Sequence, residues 1–439
     1  MLAMTPQSSF MVVAPLAKDR MSAMRERLSG MNAQPGVADP KNLLVPFGLF
    51  DNLHFARFVI LDDQTTGDLR ELYGIQRPEP PVYLAFLGDF DGDYDAFIDD
   101  LSNRAGDGLR RVFSLCDGFG ASGDLGSWIR SHECRASAYY CNWVGRTVKQ
   151  CLEEKQLRTA IRDHLAASPH LADASPAEVH AELRRFAATE QEAGRLPLTP
   201  AEPTPFVWSL WHAIYVLTLA FLIPIGIVTL PVTLIPLIIA ALRLRHLEKT
   251  DPVYAPRPDP DWIEKLAKIE DWSVTNQFNV LGSIKPGPLR TVLLKTVLWI
   301  VNLTTHVIYT KGRLARVATI HFARWVYLDG GSRVFFASNY DGSLDSYMDD
   351  FINKVAFGLN AVFSNGIAYP RTAWLVFKGA KDEQAFKYVL RRHQLPSEVW
   401  YNAYPGLTAF DLQRNSRIRR GLEARNMPAH ELAEWVALL

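Results

Sequence analysis

The chain of 439 residues carries 47 basic and 47 acidic side chains, a formal net charge of zero, 48% hydrophobic residues and four cysteines. With no basic excess it cannot neutralise a phosphate backbone, so nucleic acid is excluded as a partner; the densest basic patch, RNSRIRRGLEARN, reads as a solvated helix face. Cys116, Cys134, Cys141 and Cys151 contain no C-x-x-C pair, which excludes a structural zinc site and points to free thiols.

At the N-terminus no basic stretch precedes the short apolar run, so no secretory signal is expected. Periodicity then predicts a strand in SSFMVVAPL, an amphipathic helix in KDRMSAMRERLSGM, strands in LHFARFVIL and PVYLAFLGDF, a helix in YDAFIDDLSNRAGDGLRRVFSL and a strand in RASAYYCNWV. A further helix, TVKQCLEEKQLRTAIRDHL, follows. This βαββαβ order is that of a ferredoxin-like module. Gly118 to Gly123 spells G-x-G-x-x-G, but it follows a helix and opens no βαβ crossover, so a flexible loop is expected rather than a dinucleotide site.

From Phe206 to Leu242 no residue is charged, and a membrane-spanning helix needs only about 20 apolar residues. Pro224, Gly226, Pro231 and Pro236 interrupt the run, so a membrane-inserted hairpin is expected over 206–246, with Trp208, Trp211 and Tyr215 at the interface. RLRHLEK at its exit is a cytoplasmic positive flank. A hairpin returns the chain to the side it left, which places both flanking modules in the cytoplasm.

Beyond a Pro-rich linker the order of elements repeats: TNQFNVLGSI, a helix from Leu289, TIHFARWVYL, SRVFFASNY, SLDSYMDDFINKVAFGLNAVF and TAWLVFKGA, then a helix in DEQAFKYVLRRHQL. The helix from Leu289 is long and apolar enough to lie with its exposed side on a membrane, and KPGPLR supplies its turn and N-terminal Pro. Two local matches support a duplication. LHFARFVILDD is answered by IHFARWVYLDG, and Phe90-Asp91-Gly92 by Tyr340-Asp341-Gly342. The extra length of the first copy falls in the Gly- and Pro-rich QTTGDLRELYGIQRPEPP. The boundaries expected are a first module over 1–170, a helical linker over 171–205, the hairpin over 206–246, a Pro-rich linker over 247–272, a second module over 273–395 and a C-terminal extension over 396–439.

The fold class expected is α+β: two ferredoxin-like modules packed through their helix-free sheet faces as a pseudo-dimeric α/β barrel. This tandem arrangement resembles the dimeric α/β-barrel superfamily, whose fused members include the dye-decolorising peroxidases and whose oligomeric members include chlorite dismutases and cofactor-free monooxygenases. IHFARWV, SNYDGSLDSYMDDF, GIAYPRTAWL and WYNAYPGLT are similar to motifs of a bacterial family of membrane-associated proteins of unassigned activity. The superfamily resemblance implies, for an enzyme, a peroxidase- or monooxygenase-like oxidoreductase. Gly88-Asp89-Phe90-Asp91-Gly92 matches the G-x-x-D-G of those peroxidases, whose aspartate assists peroxide cleavage at a haem; the second copy lacks the first glycine.

The candidate catalytic residues are therefore His54, His321, Asp91 and Asp341, and the candidate cofactor-binding residues His54, His321, Arg57 and Arg324. Strand alternation puts each histidine and the arginine three residues on upon opposite sheet faces. An inward histidine pair would hold haem, a metal or a substrate proton; an inward arginine pair would meet buried carboxylates or an anionic ligand; both sets also read as structural supports. Asp91 or Asp93, and Asp341 or Ser343, are expected to cap the following helices. The acidic run from Asp89 to Asp100 lacks EF-hand spacing, so no metal is expected. Two functions remain open: a membrane-anchored, redox-associated protein binding haem or an apolar small molecule between its sheets, or a non-catalytic membrane scaffold presenting the barrel to a protein partner or a second copy.

Overall fold

The structure, a computed structural model, describes residues 3–120 and 123–439. It is an α+β protein built on two sheets. The first half contributes β1 (Gln7–Leu16), β2 (Leu53–Leu61) and β3 (Val82–Asp91), and the second β5 (Thr275–Ser283), β6 (Ile320–Leu328) and β7 (Arg333–Asp341). Each trio pairs antiparallel, β1-β3-β2 and β5-β7-β6. The fourth strands are exchanged: β4 (Ala138–Cys141), from the first half, pairs with β6, and β8 (Ser397–Asn402), from the second, pairs with β2. Just before crossing, each strand touches its own trio, at Val12 opposite Glu133 and at Val280 opposite Gln394. The sheets are joined through such single bridges and, among the described residues, form no continuous barrel.

This exchange corrects the sequence reading of the second half. TAWLVFKGA is not the fourth strand; it forms a small hairpin, Thr372–Ala373 with Phe377–Lys378. The fourth strand is SEVWYN, inside the segment expected to be an extension. The alternating Val399, Trp400 and Tyr401 bury both faces there, whereas the Trp374 and Phe377 of TAWLVFKGA stay exposed.

On the outer face of the first sheet lie α1 (Met21–Ser29), α2 (Tyr94–Arg104), α3 (Gly106–Phe113) and α4 (Leu125–Ser131), with Ala56, Phe58 and Ile60 of β2 in that core. The second sheet is covered by α8 (Pro288–Val307), α9 (Leu344–Phe363) and α10 (Glu383–His393). Pro288 opens α8 after Gly287, whose φ of 109° suits glycine. Between the sheets, Met11, Val59, Leu61 and Leu87 meet Leu281, Val326, Leu328 and Phe335. The G-x-x-D-G glycine has a packing reason here, since a Cβ on Gly88 would lie 2.6 Å from the Phe10 ring. Ala121 and Ser122 of the G-x-G-x-x-G stretch lie outside the described residues.

A third layer joins α5 (Val148–Ala166) and α6 (Pro176–Glu192) to α11 (Ala409–Glu423) through Leu157, Ile161, Leu183, Ile418 and Leu422. Reciprocal side-chain caps start all three helices: Thr147 with Gln150, Ser175 with Glu178 and Thr408 with Asp411.

The apolar run forms one helix, α7 (Phe206–Thr250), without the turn expected for a hairpin. It offers no polar loop to satisfy freed backbone groups, so the chain stays helical through Pro224, Pro231 and Pro236. The helix is nevertheless not straight. Tyr215 stacks on His306 near the end of α8, at 4.5 Å between centroids, and Asp251 meets Arg290 near its start at 2.6 Å. Along α7 those contacts are about 54 Å apart and along α8 about 24 Å, and axes of packed helices separated by ~8–10 Å cannot make up the difference. The helix therefore bows between its anchors, where the prolines weaken its hydrogen bonding, and every residue from Ala220 to Val232 is exposed.

Candidate functional site

His54 and His321 both sit on β-bulges. Pairing of β2 with β3 shifts register between Leu53 and Phe55, and pairing of β6 with β7 shifts between Ile320 and Phe322. The extra residue breaks simple alternation. Leu53 and Ile320 point to the outer helices, while Phe55 and Phe322 point between the sheets. Each histidine turns inward as well: the His54 ring lies 5.2 Å from that of Phe322, and the His321 ring 5.5 Å from that of Phe55. Histidines and arginines thus share the inner face, contrary to the alternation drawn from the sequence.

Each histidine is bound to the aspartate ending the neighbouring strand. His54 Nε2 lies 2.8 Å from Asp91 Oδ1 and His321 Nε2 2.7 Å from Asp341 Oδ1. A carboxylate only accepts, so Nε2–H is the donor in both. The second oxygen of each aspartate accepts a helix N–H: Val148 N for Asp91 (2.8 Å) and Ala409 N for Asp341 (2.7 Å). Gln7 and Thr275 donate to the same aspartates at 2.9 and 3.0 Å. Asp91 and Asp341 are therefore not the caps of the helices that follow them; Asp93 and Ser343 are. They hold instead the first turns of α5 and α11, the helices that leave the exchanged strands. Because β4 pairs in the second sheet while Asp91 and His54 belong to the first, each His–Asp pair ties the helix that follows an exchanged strand back to the three strands of its own half.

The loops between exchanged strand and helix also match. Asn142-Trp143-Val144-Gly145-Arg146-Thr147 is answered by Asn402-Ala403-Tyr404-Pro405-Gly406-Leu407-Thr408, with φ of 87° at Gly145 and 83° at Gly406. Asn142 N donates to the His321 carbonyl and Ala403 N to that of His54. Sequence reasoning missed this third repeat, an N-x-x-G-x-T pattern obscured by Pro405, and with it Tyr404. The Tyr404 hydroxyl lies 3.1 Å from His54 Nδ1. Burial pushes that hydroxyl well above the ordinary tyrosine range, so it stays protonated and donates.

The arginines cross between the sheets. Arg57 donates to Asn279 Oδ1 (2.9 Å), to the Ser338 carbonyl (3.1 Å) and to Asn339. Arg324 donates to the carbonyls of Phe10 (2.6 Å) and Gly88 (3.0 Å) and pairs with Asp89. Asn339 Nδ2 reaches Asp89 at 3.4 Å, so two guanidiniums share one carboxylate. Burial pushes Arg57 down to about 9, opposed by Asp89 and reinforced by Arg324.

This centre does not fit haem. Both Nε2 atoms are spent on aspartates, and Phe55, Phe322, Trp400 and Tyr404 fill the space around them, with Phe55 and Trp400 stacked at 8° between planes. A ligand pocket needs roughly 300 Å³ or more; the inner face is interdigitated side chains. Burial raises the thiols of Cys141 and Cys151. Among the described residues no cluster of three or more His, Cys, Asp or Glu is placed to hold a metal. In the acidic run Asp95 and Asp99 pair with Arg130 on the surface.

Open apolar space lies elsewhere. Between α8 and α9 a cavity of about 380 Å³ is lined by Val297, Ile300, Val301, Phe351, Phe357 and Leu359, with Trp325 and Phe336 of the sheet as its floor. It forms where α9 breaks at Val355, whose φ of −142° is not helical. Ile300 and Phe357 at its rim are exposed. The chain matches no protein-family model, no curated protein and no solved structure.

Proposed function

We propose that the protein is a membrane-anchored, apolar-ligand-binding protein whose two ferredoxin-like units form a pseudo-dimeric α/β barrel that acts as its rigid, non-catalytic scaffold. The reading rests on one observation: an apolar pocket of ligand size opens beside α8, the helix on which the long apolar α7 packs. The bowed middle of α7 enters the bilayer and returns to the same body, and Arg243 and Arg245 at its exit favour the cytoplasmic side. The exposed side of α8, with Val292, Trp299 and Ile300, lies along the membrane surface. An acyl-type chain then passes from lipid to the pocket without crossing water, which is where its apolar surface is costly to expose, at ~0.8 kcal/mol per methylene.

The packed interior favours the scaffold role for the barrel itself, because the His–Asp pairs are occupied as fasteners. The test is fluorescence titration of the purified protein in detergent with a dansyl-labelled fatty acid. Saturable binding near one equivalent is expected, and Gly358→Trp should abolish it: a Cβ at Gly358 meets nothing within 4 Å, so the indole fills the pocket without disturbing the helix. Absence of saturable binding to the wild-type protein, or undiminished binding to the variant, sinks the reading.

A further inference from the structure

The hairpin Thr372–Ala373 with Phe377–Lys378 has no role in the barrel, yet it is held with care. Glu248 of α7, 1% exposed, accepts from Thr372 Oγ1 (2.9 Å), Trp374 N (2.8 Å) and Leu375 N (2.7 Å), and is paired with Arg245 at 3.0 Å. From the other side Asn360 of α9 donates to the carbonyls of Val376 and Lys378, both at 2.9 Å. Trp374 and Leu375 are both left-handed, with φ of 54° and 66°, a conformation bulky residues avoid. The bonds from Glu248 to their two amides hold it. The result projects Trp374 and Phe377 outward, 48% and 60% exposed. Large aromatics rigidly displayed beside the exit of an apolar helix are the pattern of an interfacial belt.

Beside the hairpin lies a cleft of about 390 Å³ lined by Arg371, whose Nε donates to the Asp251 carbonyl at 2.7 Å, by Lys378 and Lys381, and by Val253 and Tyr254 just beyond α7. Its one carboxylate, Asp382, is engaged in capping α10 through Ala385 N. Three cations thus face a cleft continuous with the end of α7, next to exposed aromatics.

We propose that this hairpin and cleft form a binding site for the phosphate-bearing headgroup of an anionic phospholipid, with Trp374 and Phe377 seated among the headgroups of the same leaflet. The site rests on the membrane reading of α7 and adds a second, charge-selective contact to it. That contact fixes the body at the surface, and the Glu248 pin couples it to the helix. A free phosphate would satisfy the same cations, but the aromatic tip and the continuity with α7 favour the lipid.

The test uses the full chain with Cys134→Ser, the other three cysteines being buried, and an NBD label at Phe377→Cys or Val228→Cys. Each protein is placed in nanodiscs of phosphatidylcholine with increasing phosphatidylserine, carrying shallow or deep doxyl quenchers. The Phe377 label should be quenched by shallow doxyl lipid, increasingly as phosphatidylserine is added. Replacing Arg371, Lys378 and Lys381 one at a time by Gln should raise the phosphatidylserine needed for half-effect about fivefold per cation. The Val228 label should be quenched by deep doxyl lipid. If Val228 is quenched and Phe377 is not, the inference falls while the membrane reading stands; if neither is quenched, both fall. Quenching of Phe377 indifferent to phosphatidylserine or to the cations overturns the headgroup site, as does an equal response of the label to inorganic phosphate in detergent.

Discussion

His54 and His321 occupy equivalent bulges, reach equivalent aspartates and anchor equivalent helices, but the chemistry around them differs at two places. Beside Arg324 stands Asp89; at the matching position beside Arg57 stands Asn339. The loop that meets His54 presents the hydroxyl of Tyr404; the matching residue of the other loop is Val144. What the two sites share is the part that ties the helix after an exchanged strand back to the strands of its own half. What they do not share is charge balance and hydrogen-bond saturation, so one half of the chain depends on the other rather than repeating it.

The largest consequence lies at the arginines. Asp89→Asn leaves two buried guanidiniums without a carboxylate, and uncompensated buried charge costs about 3–5 kcal/mol. Asn339→Ala removes a neutral partner and should cost about 1–3 kcal/mol. Urea or guanidinium unfolding of the detergent-solubilised protein measures both. Equal losses would show that Asp89 is no more than another hydrogen-bond acceptor and that the charge asymmetry has no energetic meaning. Adding Arg57→Met to Asp89→Asn should recover part of the loss, because one of the two stranded charges is gone.

Next come the clasps. Asp91→Ala and Asp341→Ala each strip the partner from an imidazole N–H and from a helix N–H, and a buried donor left unpaired costs about 1–3 kcal/mol. Losses of about 2–4 kcal/mol, similar at the two sites, are expected in the same unfolding measurement. Proteolysis should report them too, with new cleavage near Thr147 in Asp91→Ala and near Thr408 in Asp341→Ala. A strongly unequal pair, or cleavage confined to one variant, would break the equivalence of the two clasps.

The repeated H-F-A-R and D-G stretches made the matched strands and turns legible because each is a short local pattern, a histidine within its strand or a glycine within its turn. Gly92 and Gly342 are indeed left-handed, with φ of 95° and 83°. The bulges were not legible, since one inserted residue leaves no mark on an alternating pattern and yet reverses the face of the histidine. Nor was the exchange of β4 and β8. Both strands are short and apolar, and TAWLVFKGA matched the strand pattern better than SEVWYN; only the partner's edge decides between them. The apolar segment was recognisable by composition, but its prolines suggested a turn where the backbone remained helical and bent instead. The α8–α9 pocket depends on a break at Val355 that no residue type announces.

The smallest effect separates the two histidines most cleanly. Tyr404→Phe removes one hydroxyl and keeps the ring that packs on Phe55 and His54, so the fold should lose only about 1 kcal/mol. Combined with His54→Ala, the Tyr404→Phe cost should largely vanish, because its partner nitrogen is already absent. Combined with His321→Ala it should add in full, since the 6.4 Å between those rings reflects a tilted contact and no hydrogen bond. Double-mutant cycles on both pairs decide the matter. A coupling of about 1 kcal/mol at His54 and none at His321 assigns Tyr404 to one clasp; equal couplings would mean that the aromatic block transmits strain between the clasps, making them one unit across the two sheets.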